Sequence, residues 1–515
     1  MPHGLDIRPR AAGDSRTAKR RPRRFVLPLG LVVVVGTAGG CIAEKQCRPG
    51  CVDADTRLLC DADGNPRAEP CPIPEGSCAV ASCSEGVCGM SPSVGASCGF
   101  RGLGRCNEGY ACLGPDTHLT SGTHYTCAVT DDGDVWCWGS NARQELGDGT
   151  TLFRGNPVRV RNLPPAVDVS AGDSSTCVVT RAGEVYCWGN NATRAVDPSS
   201  TELIVKTPAR IDVPGVRFVS VSTGGAHTCA LTDQGTVWCW GSTGVGQAGV
   251  DPALVEGDTA RPTLVANLDH VKQLDSVKHH SCAVRTVEPS LVCWGSNAYV
   301  ENPAGTSIDG VLGPAAGERE FSAAPVPVPV PATVLRVALG PDATYVRAVD
   351  GKAYAWGLND HGQLGTGSSA FFNPNPEAVK IDDKVVLPGV EDPVRTSGPG
   401  ECTRLQDSSL GGRYYCWGAN DRGELAMESQ VGRTLPYANE ATALPNTPRT
   451  TSQMALSQDH ACIIIGEPGD APGTQNTAIW CYGINSEVGN GSTDPASNQI
   501  FPAPVVWSTG GMEEQ

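Results

Sequence analysis

The amino-acid sequence predicts an all-β fold in which seven short sheets stack radially into a ring, behind a small disulfide-rich module. Three observations carry that expectation. A segment first met from Thr126 to Thr150 (T-C-A-V-T-D-D-G-D-V-W-C-W-G-S-N-A-R-Q-E-L-G-D-G-T) occurs in seven edited copies. Its closing pair recurs as Trp138-Gly139, Trp188-Gly189, Trp240-Gly241, Trp294-Gly295, Trp356-Gly357 and Trp417-Gly418, softening to Tyr482-Gly483, at intervals of 50, 52, 54, 62, 61 and 65 residues. A near-fixed period marks a repeat architecture. Each copy reads as a hairpin with two apolar faces, and cysteines are dense along the chain.

In the first copy, Thr126 to Thr130 and Asp134 to Trp138 alternate as strands do. Asp131-Asp132-Gly133 joins them as a type I turn closed by a left-handed glycine, a device repeated at Arg181-Ala182-Gly183, Asp233-Gln234-Gly235 and Val349-Asp350-Gly351. That turn sets Cys127 opposite Cys137, Ala128 opposite Trp136 and Val129 opposite Val135. A lone ribbon with both faces apolar is barely stable in water, so each copy needs a neighbour on either side.

Further strand-like runs precede the hairpins: Pro157-Val158-Arg159-Val160 and then Ala166 to Ser170, with Thr207 to Ile211, Pro325 to Val328 and Pro376 to Val379 at the start of copies three, five and six. Proline suits an edge strand, so the Val-Pro alternation near 325 is read as an edge rather than a polyproline linker. The first hairpin lacks such a run, and the last is followed by a spare one, Phe501 to Trp507. The expectation is a ring in which this C-terminal strand closes blade one.

The pattern V-x-x-G-x-x-H-T-C-A-L-x-x-x-G-x-V-W-C-W-G, as at Val221 to Gly241, with the tail Gly362-Gln363-Leu364-Gly365-Thr366-Gly367, resembles the regulator-of-chromosome-condensation repeat family. The resemblance covers residues 119–507 and implies a seven-bladed β-propeller. It departs in the repeated cysteine pair, in degraded tails such as Asn190 to Thr193, and in the Tyr of copy seven.

Residues 1–24 carry eight Lys or Arg against two Asp, and an apolar run from Phe25 to Ala38 ends in Gly39-Gly40-Cys41. Fourteen residues are short for a bilayer span. The segment reads as a secretory signal (1–40), and its ending resembles a bacterial lipobox that acylates Cys41. Ordinary cleavage, leaving Cys41 a free or bridged thiol, is the alternative, and Arg20-Arg21 and Arg23-Arg24 hint at twin-arginine export. Residues 41–118 form a Cys-rich stalk, 119–507 the ring and 508–515 a tail.

Setting Cys41 aside, the 23 cysteines leave ten at positions 47–112 and twelve in the ring, both even. Dense, even sets in an exported chain read as disulfides. The ring cysteines pair within hairpins: Cys127 with Cys137, Cys177 with Cys187, Cys229 with Cys239, Cys282 with Cys293, Cys402 with Cys416, and Cys462 with Cys481. Buried unbridged thiols are the alternative. Copy five argues against them, because both positions change together, to Tyr345 and Ala355. In the stalk, Asp61-Ala62-Asp63-Gly64-Asn65 reads as a turn, since no bidentate Glu completes a calcium loop.

The net charge of −16 becomes −22 once the eight positive and two negative residues of 1–24 are removed. That is a poor surface for nucleic acid. His227, His280 and His460 fill one repeat slot, where the resemblance implies packing and a backbone hydrogen bond within the blade; their blades are not all adjacent, so no shared metal is expected. Gly172-Asp173-Ser174-Ser175 fills the slot of Gly224 to His227 and is not a protease nucleophile. Asp233 to Trp238 resembles part of a sialidase Asp-box, a turn motif, with Leu231 where Ser or Thr belongs. No catalytic residue, cofactor or metal is expected.

Loop variation on a rigid frame is where binding sits. Three hairpin tips are lengthened, Arg285 to Leu291, Arg404 to Arg413 and Ile465 to Ile479, and loops after Trp-Gly are lengthened at Ser296 to Ala324 and Met427 to Pro445. Together they are expected to mark one face of the ring. The expected function is an envelope-anchored, monomeric, non-enzymatic scaffold binding an unknown protein or cell-surface ligand, held by an N-terminal acyl anchor and with no nucleic-acid partner. An inhibitor of a secreted hydrolase, similar to the propeller β-lactamase inhibitors of the family, and a propeller lyase or glycosidase are the alternatives. The family's nucleotide-exchange activity is not carried over, because fold does not fix function.

Overall fold

Short alternating strands punctuated by glycine turns fold into a meander, and in the computed structural model seven such meanders make seven four-stranded antiparallel sheets. The structure describes most of residues 119–504, apart from interruptions that include 406–413, 466–477 and 485–497, and upstream the backbone of eight short strands between Gly50 and Leu113. Those eight form three small antiparallel sheets in the Cys-rich module. The signal segment, Cys41 and the 508–515 tail lie outside the described residues.

The first blade comprises Leu119–Ser121, Tyr125–Val129, Val135–Gly139 and Arg154–Arg159. Its hairpin sets Cys127 opposite Cys137, Ala128 opposite Trp136 and Val129 opposite Val135. The turn glycines 133, 183, 235 and 351 have φ of 89°, 80°, 73° and 77°, the left-handed conformation that the three-residue loop demands. The first strands of successive blades contact one another around the axis. The fourth strands form the rim, where proline is tolerated because no further strand needs its missing N–H. Pro325 and Pro327 accordingly lie in the rim strand Phe321–Pro327.

The expected closure is corrected. Asn498–Pro504 pairs with Ala478–Ile484 of its own hairpin and serves as the fourth strand of blade seven. Blade one completes itself with Leu119–Ser121. Each Pro-Val run thus belongs to the sheet of the hairpin before it, because the loop after Trp-Gly returns the chain antiparallel to the strand it has just left. The ring closes by packing: Leu119, Ala128 and Trp138 of blade one share a core with Ala455, Cys462, Ile479 and Cys481 of blade seven.

Two devices stitch blade to blade. The indole N–H of Trp188 donates to the Glu145 carbonyl at 2.7 Å, and Trp240, Trp294, Trp356 and Trp417 repeat this with Ala195, Gln247, Val311 and Gln363 at 2.7–3.1 Å. This bond explains why a Trp-Gly pair and the tail of the previous copy go together. Along the axis, side chains cap the unpaired backbone of the neighbouring first strand, which would otherwise be an open edge. Asp168 Oδ2 accepts from Val221 N and Asp275 Oδ2 from Leu339 N, both at 2.9 Å. The glycine after each of these Trp residues, and Gly483 after Tyr482, has φ between 97° and 116°, and at Gly241 a Cβ would come 2.7 Å from the Ala226 carbonyl oxygen.

Candidate functional site

The meander assigns every loop to a face. Loops between first and second strands, and between third and fourth strands, lie on one face, while hairpin tips lie on the other. The lengthened tip at Arg285 to Leu291 therefore does not share a face with the lengthened loop that follows Ser296, which corrects the expectation of a single face; the tips at Arg404 to Arg413 and Ile465 to Ile479 lie largely outside the described residues.

On the first of these faces a cavity of about 310 Å³ opens at the mouth of the channel. Six blades reach it through the loop between their first two strands, supplying Thr123, Asp173, Lys278, Asp342, Ser397 and Gln458. Blade three offers only the small Gly224-Gly225-Ala226 turn there. Lys278 Nζ stands 3.2 Å from Asp342 Oδ2, and Ser397 Oγ donates across the mouth to the Gly122 carbonyl at 3.0 Å. Blade five builds the deep wall with Ala343, Tyr345 and Leu358, and its tail adds Asp360, His361 and Gln363. Asp360 Oδ1 lies 2.8 Å from His361 Nδ1 and accepts from Gln363 Nε2 at 2.9 Å.

The cavity sits where the repeat changes. In blades one, three and seven the residue two before the first hairpin cysteine reaches into the next blade. Tyr125 OH accepts from Thr176 Oγ1 at 3.1 Å, His227 Nε2 bonds Ser281 Oγ at 2.7 Å and His460 Nε2 bonds Thr126 Oγ1 at 2.6 Å. His227 and His460 therefore bond between blades, through side chains, and not on backbone within one blade as expected from the resemblance, while His280 Nε2 has no partner among the described residues. Burial holds His280 down to about 3, so it stays neutral. In blade five this slot is Ala343, and the Thr or Ser slot of blade six is Glu401. Both ends of the stitch are lost, and space opens beside them.

Glu401 is fully buried; its Oε1 accepts from Val394 N at 3.0 Å and its Oε2 has no partner among the described residues. Burial pushes its carboxyl well above the usual range, and the same burial, aided by the charges of Glu401 and Asp342, raises the Tyr345 phenol. Tyr345, Lys278 and Glu401 were not singled out by motif reading. Their signal was departure from repeat consensus at aligned slots.

The twelve ring cysteines form six disulfides, 127–137, 177–187, 229–239, 282–293, 402–416 and 462–481, every sulfur-bearing residue fully buried. They brace the frame and stand apart from the cavity. Asp173 lies in the mouth loop and Ser175 in the second strand, as their repeat position requires. Among the described residues no three His, Cys, Asp or Glu side chains are grouped to hold a metal, and no helix is long and apolar enough to cross a membrane.

A ring of seven four-stranded sheets, stitched by Trp to the preceding tail, defines a seven-bladed β-propeller. The chain belongs to the RCC1-like domain family, whose model matches residues 110–387, more than half of its length. It is similar to human regulator of chromosome condensation, 25% identical over 276 residues that cover 51% of this chain and 61% of that protein. The aligned region thus spans less than two thirds of that relative, and 44% of human Protein RCC2. Among solved structures, human WBSCR16 superposes with a TM-score of 0.59 at 17% identity, covering 72% of this chain and 94% of that one. Prp20p from Saccharomyces cerevisiae, whose structure was described with its binding to Gsp1p and histones, gives 0.52 at 21%, covering 66% and 80%.

Proposed function

We propose that this chain is an exported, lipid-anchored, non-enzymatic propeller that binds a protein or cell-surface ligand with the face carrying the channel mouth. The observation that carries the reading is the set of six buried bridges, which form and persist in oxidising compartments and are rare in the cytosol or nucleus. Orientation supports it. Leu119–Ser121 runs toward the mouth, so the first strand of the ring begins on the opposite face. An anchor at Cys41 would then leave the mouth pointing away from the membrane.

The partners of the eukaryotic relatives are not carried over. A net charge of −22 after removal of residues 1–24 disfavours nucleic acid, and the disulfides favour a compartment other than that of chromatin. The test is cross-linking on intact cells from a photoreactive group in the mouth-face loop Gly257–Asp258, followed by mass spectrometry of the adducts and of the processed N-terminus. The expected result is a specific protein adduct and an acylated Cys41. An unacylated, cytosolic chain with reduced cysteines would overturn the reading.

A further inference from the structure

We propose that the cavity at the junction of blades five and six takes a basic group on a hydrocarbon stem, an ammonium or guanidinium. The inference deepens the contact-face reading above and rests on it for its biological setting, though not for its chemistry.

The volume, about 310 Å³, is at the small end of ligand pockets. Its walls hold unused polar capacity. Tyr345 is 2% exposed and lines the cavity, yet its hydroxyl has no hydrogen-bond partner among the described residues. An occupant that donates or accepts a hydrogen bond there would give this hydroxyl a partner that the protein does not supply. At the rim, the Asp173 carboxylate makes no ion pair or hydrogen bond with any described residue. Asp342 is shared with Lys278, and Asp360 with His361 and Gln363.

Three carboxylates thus face one lysine and one histidine around a single opening. A phosphate or carboxylate ligand meets net repulsion there, and an apolar one leaves Tyr345 unsatisfied. A cation gains Asp173 and the phenol oxygen together, while Ala343 and Leu358 accept its stem. Charge-assisted hydrogen bonds of this kind are the strong ones. Copy five carries no bridge beside the pocket: Tyr345 stands opposite Ala355 where two cysteines face each other in every other blade. Blade five keeps its core, with the Tyr345 ring edge-on to Trp417 at 6.4 Å.

The test uses the full exported chain and titration calorimetry at low salt. The probes are 1,5-diaminopentane against 1,5-pentanediol, and acetyl-Gly-Lys-Gly-amide against the same peptide with norleucine for lysine. Both cationic probes are expected to bind and both neutral ones to fail. Tyr345→Phe, which keeps the ring contact, and Asp173→Asn, which changes only a rim charge, are each expected to weaken binding by about fivefold or more. Thermal melting of each variant confirms folding. Tighter binding of the peptide assigns the group to a protein side chain, and tighter binding of the diamine to a soluble amine. Neutral probes that bind equally well, or two folded variants that bind like the parent, would overturn the proposal. The two readings separate cleanly. Loss of the cross-linked partner with diamine binding intact sinks the contact face alone, and the reverse sinks the pocket alone.

Discussion

Blade three and blade five are built on the same meander and solve the same packing problem in different ways. In blade three, Cys229 and Cys239 are bridged beneath Trp240, and His227 bonds Ser281 of the next blade. The junction is filled. In blade five, Tyr345 and Ala355 occupy the bridge positions, Ala343 the His slot and Glu401 the slot it would meet, and a cavity opens to solvent. A bridged pair and an aromatic–alanine pair fill one layer of a hairpin about equally. The inter-blade stitch has no such substitute. Covalent bracing is therefore interchangeable with packing inside a blade, whereas the seam between blades decides where a site can form.

Predictions follow that distinction, from the largest effect to the smallest. Trp240→Ala removes a fully buried indole and its bond to the Ala195 carbonyl, and is expected to destabilise by about 4 kcal/mol in denaturant unfolding. Removing the bridge with Cys229→Ala and Cys239→Ala together is expected to cost about 2–3 kcal/mol by the same measurement. The converse pair, Tyr345→Cys with Ala355→Cys, is expected to form a seventh bridge and to abolish amine binding, read by mass spectrometry before and after reduction. Should it stay reduced in exported protein, the two blades are not interchangeable. Gly241→Ala and Gly357→Ala should cost alike, about 1–3 kcal/mol each, because both sit at φ above 100° with a carbonyl oxygen within 2.7 Å of the added Cβ.

The smallest effect is on pH dependence at the next seam. Tyr482 replaces Trp in blade seven and leaves its hydroxyl without a partner among the described residues, and burial raises nearby Glu424 from 4.5 to about 7. The folded state therefore holds that proton more tightly than the unfolded chain. Its contribution is complete below pH 4.5 and is lost as pH rises through about 7. Glu424→Gln should flatten the fall in melting temperature between pH 5 and 8, an effect of about 1–2 kcal/mol.

Much of this fold was legible because the hairpin is a local object. The turn glycine at 133 sets the register of Cys127 against Cys137, and nothing outside the hairpin can shift it. The membership of the Pro-Val runs was not legible. A run between two hairpins can hydrogen-bond to either, and only the antiparallel return after Trp-Gly decides for the earlier one. The faces of the loops followed from that same choice and were misread with it. The cavity was invisible for another reason: Ala343 and Glu401 are 58 positions apart and each is unremarkable alone. Their meaning appears only when two neighbouring blades are laid side by side.

Because no strand is traded between blade one and blade seven, every sheet is assembled from a single uninterrupted stretch of chain. Each bridged ring cysteine lies only 10 to 19 positions from its partner. On the exported reading proposed above, a polypeptide threading out of a membrane pore head first can oxidise one hairpin before the next pair has emerged. On that route, pairing among a dozen thiols follows the order of emergence and does not wait for a finished ring.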